Sequence, residues 1–286
     1  MKPEIEKAEG IGFCFGVRRA LGILERAARE HGGIEALGAV VHNRQVLQRL
    51  AVIGVRIAAG VNDIHGSVVA IGAHGAGPQL EKDLRARGLT VVNTTCPFVL
   101  RAQKVAQRLS RTGFLVLIYG DAGHPEVRGI LGWADDEGLA TLDASTLSGF
   151  RPLPRRIGVL AQTTQIPAHF VHFTREVVGT VLGKDSDLRI IDTICHDIRR
   201  RQAAAMEVAG RVDLMLVVGD HTSANTNRLA ELCAAVTSTR LIETADEIYP
   251  GLVEGYRRIG VTGGASTAER TINEVLAKLE AVTGQS

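Results

Sequence analysis

Three of the four cysteines in this chain stand in the same local setting, and that repetition limits the possible fold more than any other feature. Cys14 lies in "EGIGFCFGVRRALGILERAARE", Cys96 in "LTVVNTTCPFVLRAQKVAQRL" and Cys195 in "LRIIDTICHDIRRRQAAAMEVAG". Each is followed at once by apolar residues at helical spacing: Val17, Ala20, Leu21, Leu24 and Ala28, then Phe98, Ala102, Val105 and Leu109, then Ile198, Ala205, Val208 and Ala209. Pro97 suits a first helical turn, where a missing N–H costs nothing. The β-branched runs "TVVN" and "RIID" before Cys96 and Cys195 read as strands. Counting 28 residues on from each cysteine reaches His42, His124 and Ser223, each at the polar end of an apolar, strand-like run. A further strand end follows in each repeat, at His74, Thr163 and Ser266.

This pattern predicts an α/β protein of three small, pseudo-threefold-related units with mostly parallel sheets. The expected boundaries are residues 1–95 with Cys14, His42 and His74; residues 96–194 with Cys96, His124, Glu126 and Thr163; and residues 195–286 with Cys195, Ser223, Asn225 and Ser266. Ligands of open α/β sheets bind beyond the carboxyl ends of the strands, and each of these polar residues is at or just past such an end. Three units with those ends facing inward would share one central site.

Composition removes several function classes. The charge is nearly balanced, at +2, aromatics are 4% of residues, and no long basic run occurs, so nucleic-acid binding is not expected. "MKPEIEKAEG" has no apolar export core, and runs such as "FLVLIY" are too short to cross a bilayer, so a cytoplasmic protein without a membrane span is expected. No CxxC occurs, and a disulfide framework is not expected in such a chain. "GTVLGKDS" is not a phosphate-binding P-loop, and "GIGFCFG" is one residue too long for a dinucleotide fingerprint.

What remains is the chemistry of three thiols at helix starts. The free N–H groups and dipole of a helix N-terminus favour thiolate, the form that binds metal. Three thiolates suit a zinc site with a fourth ligand or an iron–sulfur cluster, and the lack of close cysteine pairs favours the cluster. Cys233, inside "RLAELCAAV", reads as a core residue. His42, His74 and His124 with Ser223, Asn225 and Ser266 form a donor set suited to a diphosphate. Glu126, two residues after His124, could relay protons or cap the next helix. Thr163 could hydrogen-bond a leaving hydroxyl that receives those protons, or cap a helix. His31, His65, His169, His172 and His196 read as incidental.

The ordered set "GFCFGVRRAL", "VHNRQVL", "AHG", "TTCP", "GHPEVRGILG", "QTT", "IC…RQ…A", "VVGDHTSANTNRLAEL" and "VTGGAS" resembles the 4-hydroxy-3-methylbut-2-enyl diphosphate reductases, the LytB family, whose reaction ends the non-mevalonate isoprenoid pathway. The resemblance runs from about Gly12 to Ser266. It implies a cloverleaf of three α/β domains around a [4Fe-4S] cluster held by Cys14, Cys96 and Cys195, with one iron open and a three-iron form expected after oxygen exposure. It implies that His42, His74, Ser223, Asn225 and Ser266 hold the diphosphate with His124 close by. Glu126 would deliver protons and Thr163 would contact the substrate hydroxyl. The allylic diphosphate would be dehydroxylated to isopentenyl or dimethylallyl diphosphate, with ferredoxin or flavodoxin as electron donor. Ala224, Ala268 and Arg18 depart from the usual residues of the pattern. Two other readings stand beside it: a non-catalytic cluster or metal protein that senses redox state or binds a partner, and a reductase of another phosphorylated allylic alcohol.

Overall fold

The computed structural model describes residues 3–38, 40–41, 43–135, 138–150, 152–182 and 185–284. In chain order the first elements are β1 (Glu4–Lys7), α1 (Phe15–His31), β2 (Ile34–Leu37), α2 (Arg44–Val52), β3 (Val55–Ala58), β4 (Val68–Ile71), α3 (Pro78–Ala86) and β5 (Thr90–Asn93). Next come α4 (Pro97–Arg111), β6 (Leu115–Tyr119), α5 (Pro125–Gly132), β7 (Leu139–Thr141), β8 (Arg156–Ala161), α6 (Pro167–Val181) and β9 (Asp187–Ile191). The last are α7 (His196–Ala209), β10 (Leu214–Val218), α8 (Ala224–Ala234), β11 (Ser238–Ile242), α9 (Pro250–Val253), β12 (Arg258–Gly263) and α10 (Glu269–Gly284). Proline occupies the first turn of α3, α4, α5 and α6, where its fixed φ starts the helix at no hydrogen-bond cost.

The strands form three parallel four-stranded sheets, in the orders β3-β2-β4-β5, β7-β6-β8-β9 and β11-β10-β12-β1. The fold is therefore three α/β units with helices flanking parallel sheets. All three sheets share one strand order. In the last, the fourth place is taken by β1, whose Glu4–Lys7 lie in register with Arg258–Val261. The expected first unit, residues 1–95, thus gives its leading strand to the C-terminal sheet. A parallel edge strand needs only a free neighbouring edge, and β12 offers it.

Central strands are apolar on both faces because helices cover both. Leu214, Leu216 and Val218 of β10 pack with Ile259 and Val261 of β12 against Ile272, Val275 and Leu279 of α10. Met215 and Val217 point the other way, onto Ala205 and Val208 of α7 and Leu229 and Cys233 of α8. In the middle sheet, Leu117, Ile157 and Val159 face Phe170, Phe173 and Val177 of α6, while Val116, Ile118 and Leu160 face α4 and α5. By contacts the chain divides into two compact units, one of residues 1–18, 41–49 and 196–286, the other of residues 19–40 and 50–195.

Candidate active site

The carboxyl end of each sheet repeats one construction. Each cysteine follows the fourth strand of a sheet: Cys14 after β1, Cys96 after β5 and Cys195 after β9. Each cysteine N–H donates to a carbonyl two residues beyond the third strand: Cys14 to Ala265 (2.9 Å), Cys96 to Ala73 (3.0 Å) and Cys195 to Thr163 (2.9 Å). A helix starts directly after each one. All three thiols are reduced and partly exposed, whereas Cys233 is buried and its thiol is pushed up to about 11 by that burial. Burial also raises Cys14; the Val17 N–H, 3.4 Å from Sγ, and the Arg201 charge oppose it. A cavity of about 430 Å³, lined in part by Cys14, Arg18, Asp197 and Arg201, opens beside this turn.

Next to Cys195, in the middle sheet, lies a buried hydrogen-bond set built on Glu126 and Thr163. Glu126, in the first turn of α5, is only 1% exposed. Its Oε1 accepts from the Thr163 N–H (2.6 Å) and its Oε2 from the Thr163 hydroxyl (2.8 Å). His124 caps α5: its Nδ1 accepts the Glu126 N–H at 3.1 Å. That bond makes Nδ1 the unprotonated nitrogen of the neutral ring and leaves the proton on Nε2. The His74 ring meets His124 edge-on, with centroids 5.3 Å apart. Four expected residues, His74, His124, Glu126 and Thr163, are thus brought together within one compact unit.

The other compact unit holds Ser223, Asn225 and Ser266. Ser223 caps α8 by accepting the Thr226 N–H at 3.3 Å, as His124 caps α5. Asn225 is 8% exposed, and its buried Nδ2 has no hydrogen-bond partner among the described residues. The Ser266 carbonyl accepts from Asn43 Nδ2 (2.8 Å), and Asn43 Oδ1 in turn accepts the Val46 N–H, capping α2. His42, the residue before Asn43, lies outside the described residues.

Similarity to known proteins accords with this geometry. The LytB protein family description matches residues 5–280. The chain belongs to the LytB family. A relative from Dehalococcoides mccartyi strain CBDB1, named 4-hydroxy-3-methylbut-2-enyl diphosphate reductase, is 56% identical over 277 residues, 97% of this chain and 98% of the relative. A protein of that name from Geobacter metallireducens is 40% identical over 281 residues, 98% of each chain. With them, the chain is an oxidoreductase. A solved structure described as (E)-4-hydroxy-3-methyl-but-2-enyl diphosphate reductase, 35% identical, superposes with a TM-score of 0.69 and covers 98% of this chain and 99% of that one. The reductase structure from Plasmodium falciparum, at 22% identity, has a TM-score of 0.91 over 98% of this chain and 89% of its own and shares the fold.

The three thiols have the chemistry of cluster ligands: in no disulfide, partly exposed, and placed at helix N-termini. Among the described residues no three His, Cys, Asp or Glu side chains are grouped so as to hold a metal ion. The sulfurs of a cluster bond different irons and stand farther apart than the ligands of one ion. Two LytB residues carry more than the sequence reading assigned them. Arg201 has no role in the motif "IC…RQ…A", yet it is 5% exposed and bonds the Gly263 (3.0 Å) and Gly12 (2.8 Å) carbonyls. Its signal is spacing: it falls three residues after Ile198 and four before Ala205, on the buried face of α7. Asn43 is the other, and no sequence signal beyond a cap preference announced it.

Proposed function

We propose that this chain reduces 4-hydroxy-3-methylbut-2-enyl diphosphate to isopentenyl and dimethylallyl diphosphate, the closing step of the non-mevalonate pathway, with an iron–sulfur cluster held by Cys14, Cys96 and Cys195. The observation that carries this reading is the shared backbone setting of the three thiols at three sheet ends, in a chain whose family relatives bear that reductase name. When bound, a [4Fe-4S] cluster on three thiolates would pass electrons one at a time from the external donor, two per turnover, and offer a Lewis-acidic iron corner.

The chain's own residues supply the rest. His42, His74, His124, Ser223, Asn225 and Ser266 are read as the diphosphate donors. His124 can offer its Nε2–H, because Nδ1 is occupied by the Glu126 N–H. Ser223 can offer its hydroxyl proton, because its oxygen already accepts from Thr226. Asn225 Nδ2 supports the same role: a buried amide lacking a protein partner costs about 1–3 kcal/mol unless a ligand or water takes its hydrogen bond. The substrate gains two electrons and two protons and loses its hydroxyl as water. Glu126 is the proton donor to the departing hydroxyl, and Thr163 holds both its oxygens in one orientation while contacting that hydroxyl. Ferredoxin or flavodoxin is read as the electron source and the cytoplasm as the location; among the described residues no helix is long and apolar enough to cross a membrane.

The test is an anaerobic assay with reduced viologen and the hydroxylated diphosphate. Both products should form, and Glu126→Gln should lower turnover at least about a hundredfold with visible absorbance and iron content unchanged. Full iron and sulfide content with no turnover in the parent protein would overturn the reading.

A further inference from the structure

In two sheets the cysteine turn is tied to its sheet by the same side-chain bond. Two residues before Cys96, the Thr94 hydroxyl donates to the carbonyl of Ile71, the last residue of β4, at 2.6 Å. Two residues before Cys195, the Thr193 hydroxyl donates to the carbonyl of Ala161, the last residue of β8. The matching position before Cys14 is Gly12, which has no side chain to make that bond. Its φ of +83° explains the difference: a β-branched residue is strongly disfavoured in the left-handed region, so threonine cannot stand there. The bond is supplied from elsewhere. Arg201 Nη1 donates to the carbonyl of Gly263, the last residue of β12, and Nη2 donates to Gly12 itself.

We propose that Arg201 is a positioning residue for Cys14, doing for the C-terminal sheet what Thr94 and Thr193 do for the other two. A planar guanidinium can bridge two carbonyls at fixed separation, which a point ammonium does poorly. It holds the Gly12–Cys14 turn against β12 and keeps the Cys14 N–H on Ala265. It also sets a buried positive charge on the wall of the cavity that Cys14 lines. The inference rests on the reading of Cys14 as a cluster ligand.

The experiment compares the full-length parent, Arg201→Gln, Arg201→Lys and Cys14→Ser. In the metal-free proteins, amide exchange in Arg201→Gln should quicken about tenfold or more over residues 10–17 while the rest of the chain matches the parent. In the anaerobically loaded proteins, Arg201→Gln should release iron to a chelator about tenfold faster, and its cluster potential should move negative. Arg201→Lys keeps the charge, so its potential should stay near the parent's while exchange and iron release fall between the other two. Parent-like exchange and iron release in Arg201→Gln, or in Arg201→Lys, overturns the tether, as does faster exchange spread evenly over the chain. If Cys14→Ser keeps full iron and sulfide, the cluster reading itself fails. If Cys14→Ser loses them while Arg201→Gln behaves as parent, only the present inference does.

Discussion

At the residue scale, four cysteines divide into two kinds by surroundings alone. Cys233 sits with Met215, Val217 and Leu229 in a dry core and behaves as a small hydrophobe. Cys233→Ala should therefore cost about 1 kcal/mol of stability and leave iron and sulfide content unchanged, which metal analysis and a thermal melt would check. Cys14, Cys96 and Cys195 each head a helix, and serine at any of them should abolish stable loading of the cluster. Thr163 offers a finer probe. Thr163→Val keeps the backbone N–H on Glu126 Oε1 and deletes only the hydroxyl on Oε2. Turnover should fall about tenfold to a hundredfold, a smaller loss than that of Glu126→Gln. Loaded absorbance should not change, and an undiminished rate would remove Thr163 from the proton path.

At the element scale, strand ends and turns are fastened by groups whose loss can be read in stability. Glu35 of β2 is buried, which opposes its ionisation. The N–H groups of Gly66 and His65 and the Arg56 guanidinium nevertheless hold its carboxyl below the usual carboxylate range. A depressed folded value means this stabilisation is complete above the unfolded glutamate value of about 4.3 and is lost as pH falls through the folded one. Melts of the parent should therefore decline more steeply below about pH 4 than those of Glu35→Gln; parallel acid limbs would contradict the assignment. In the C-terminal sheet, a Cβ at Gly264 would lie 2.1 Å from Thr226 Oγ1, and Thr226 is fully buried. Gly264→Ala should cost at least about 2 kcal/mol, and adding Thr226→Ala should recover part of it.

At the scale of the whole molecule, the division into two compact units predicts stepwise unfolding. Calorimetry of the metal-free protein should resolve two transitions. Glu35→Gln at pH 7 should lower only the one belonging to residues 19–40 and 50–195, and Gly264→Ala only the other. One transition shifted equally by both variants would mean that the units unfold together. The unit containing Ser223 and Ser266 is built from three separate stretches of chain. Asn43 and Gln45 anchor the short middle stretch through the Ser266 carbonyl and the Thr271 hydroxyl.

The sequence by itself determined the periodic parts of this protein: strand ends at His74, His124, Thr163 and Ser266, helix starts after Cys14, Cys96 and Cys195, and a core cysteine at 233. Those are local properties, since alternation and helical spacing record which side of an element meets water. Only the tertiary structure decided where non-local edges meet. Nothing in the four residues "EIEK" says that β1 pairs with a strand some 250 residues away rather than with β2. Nothing in "RRRQ" beyond its spacing says that one arginine turns inward to replace a threonine tether. A buried cation is worth its desolvation only when fixed acceptors wait for it, and the acceptors here, Gly12 and Gly263, are brought to it by the fold.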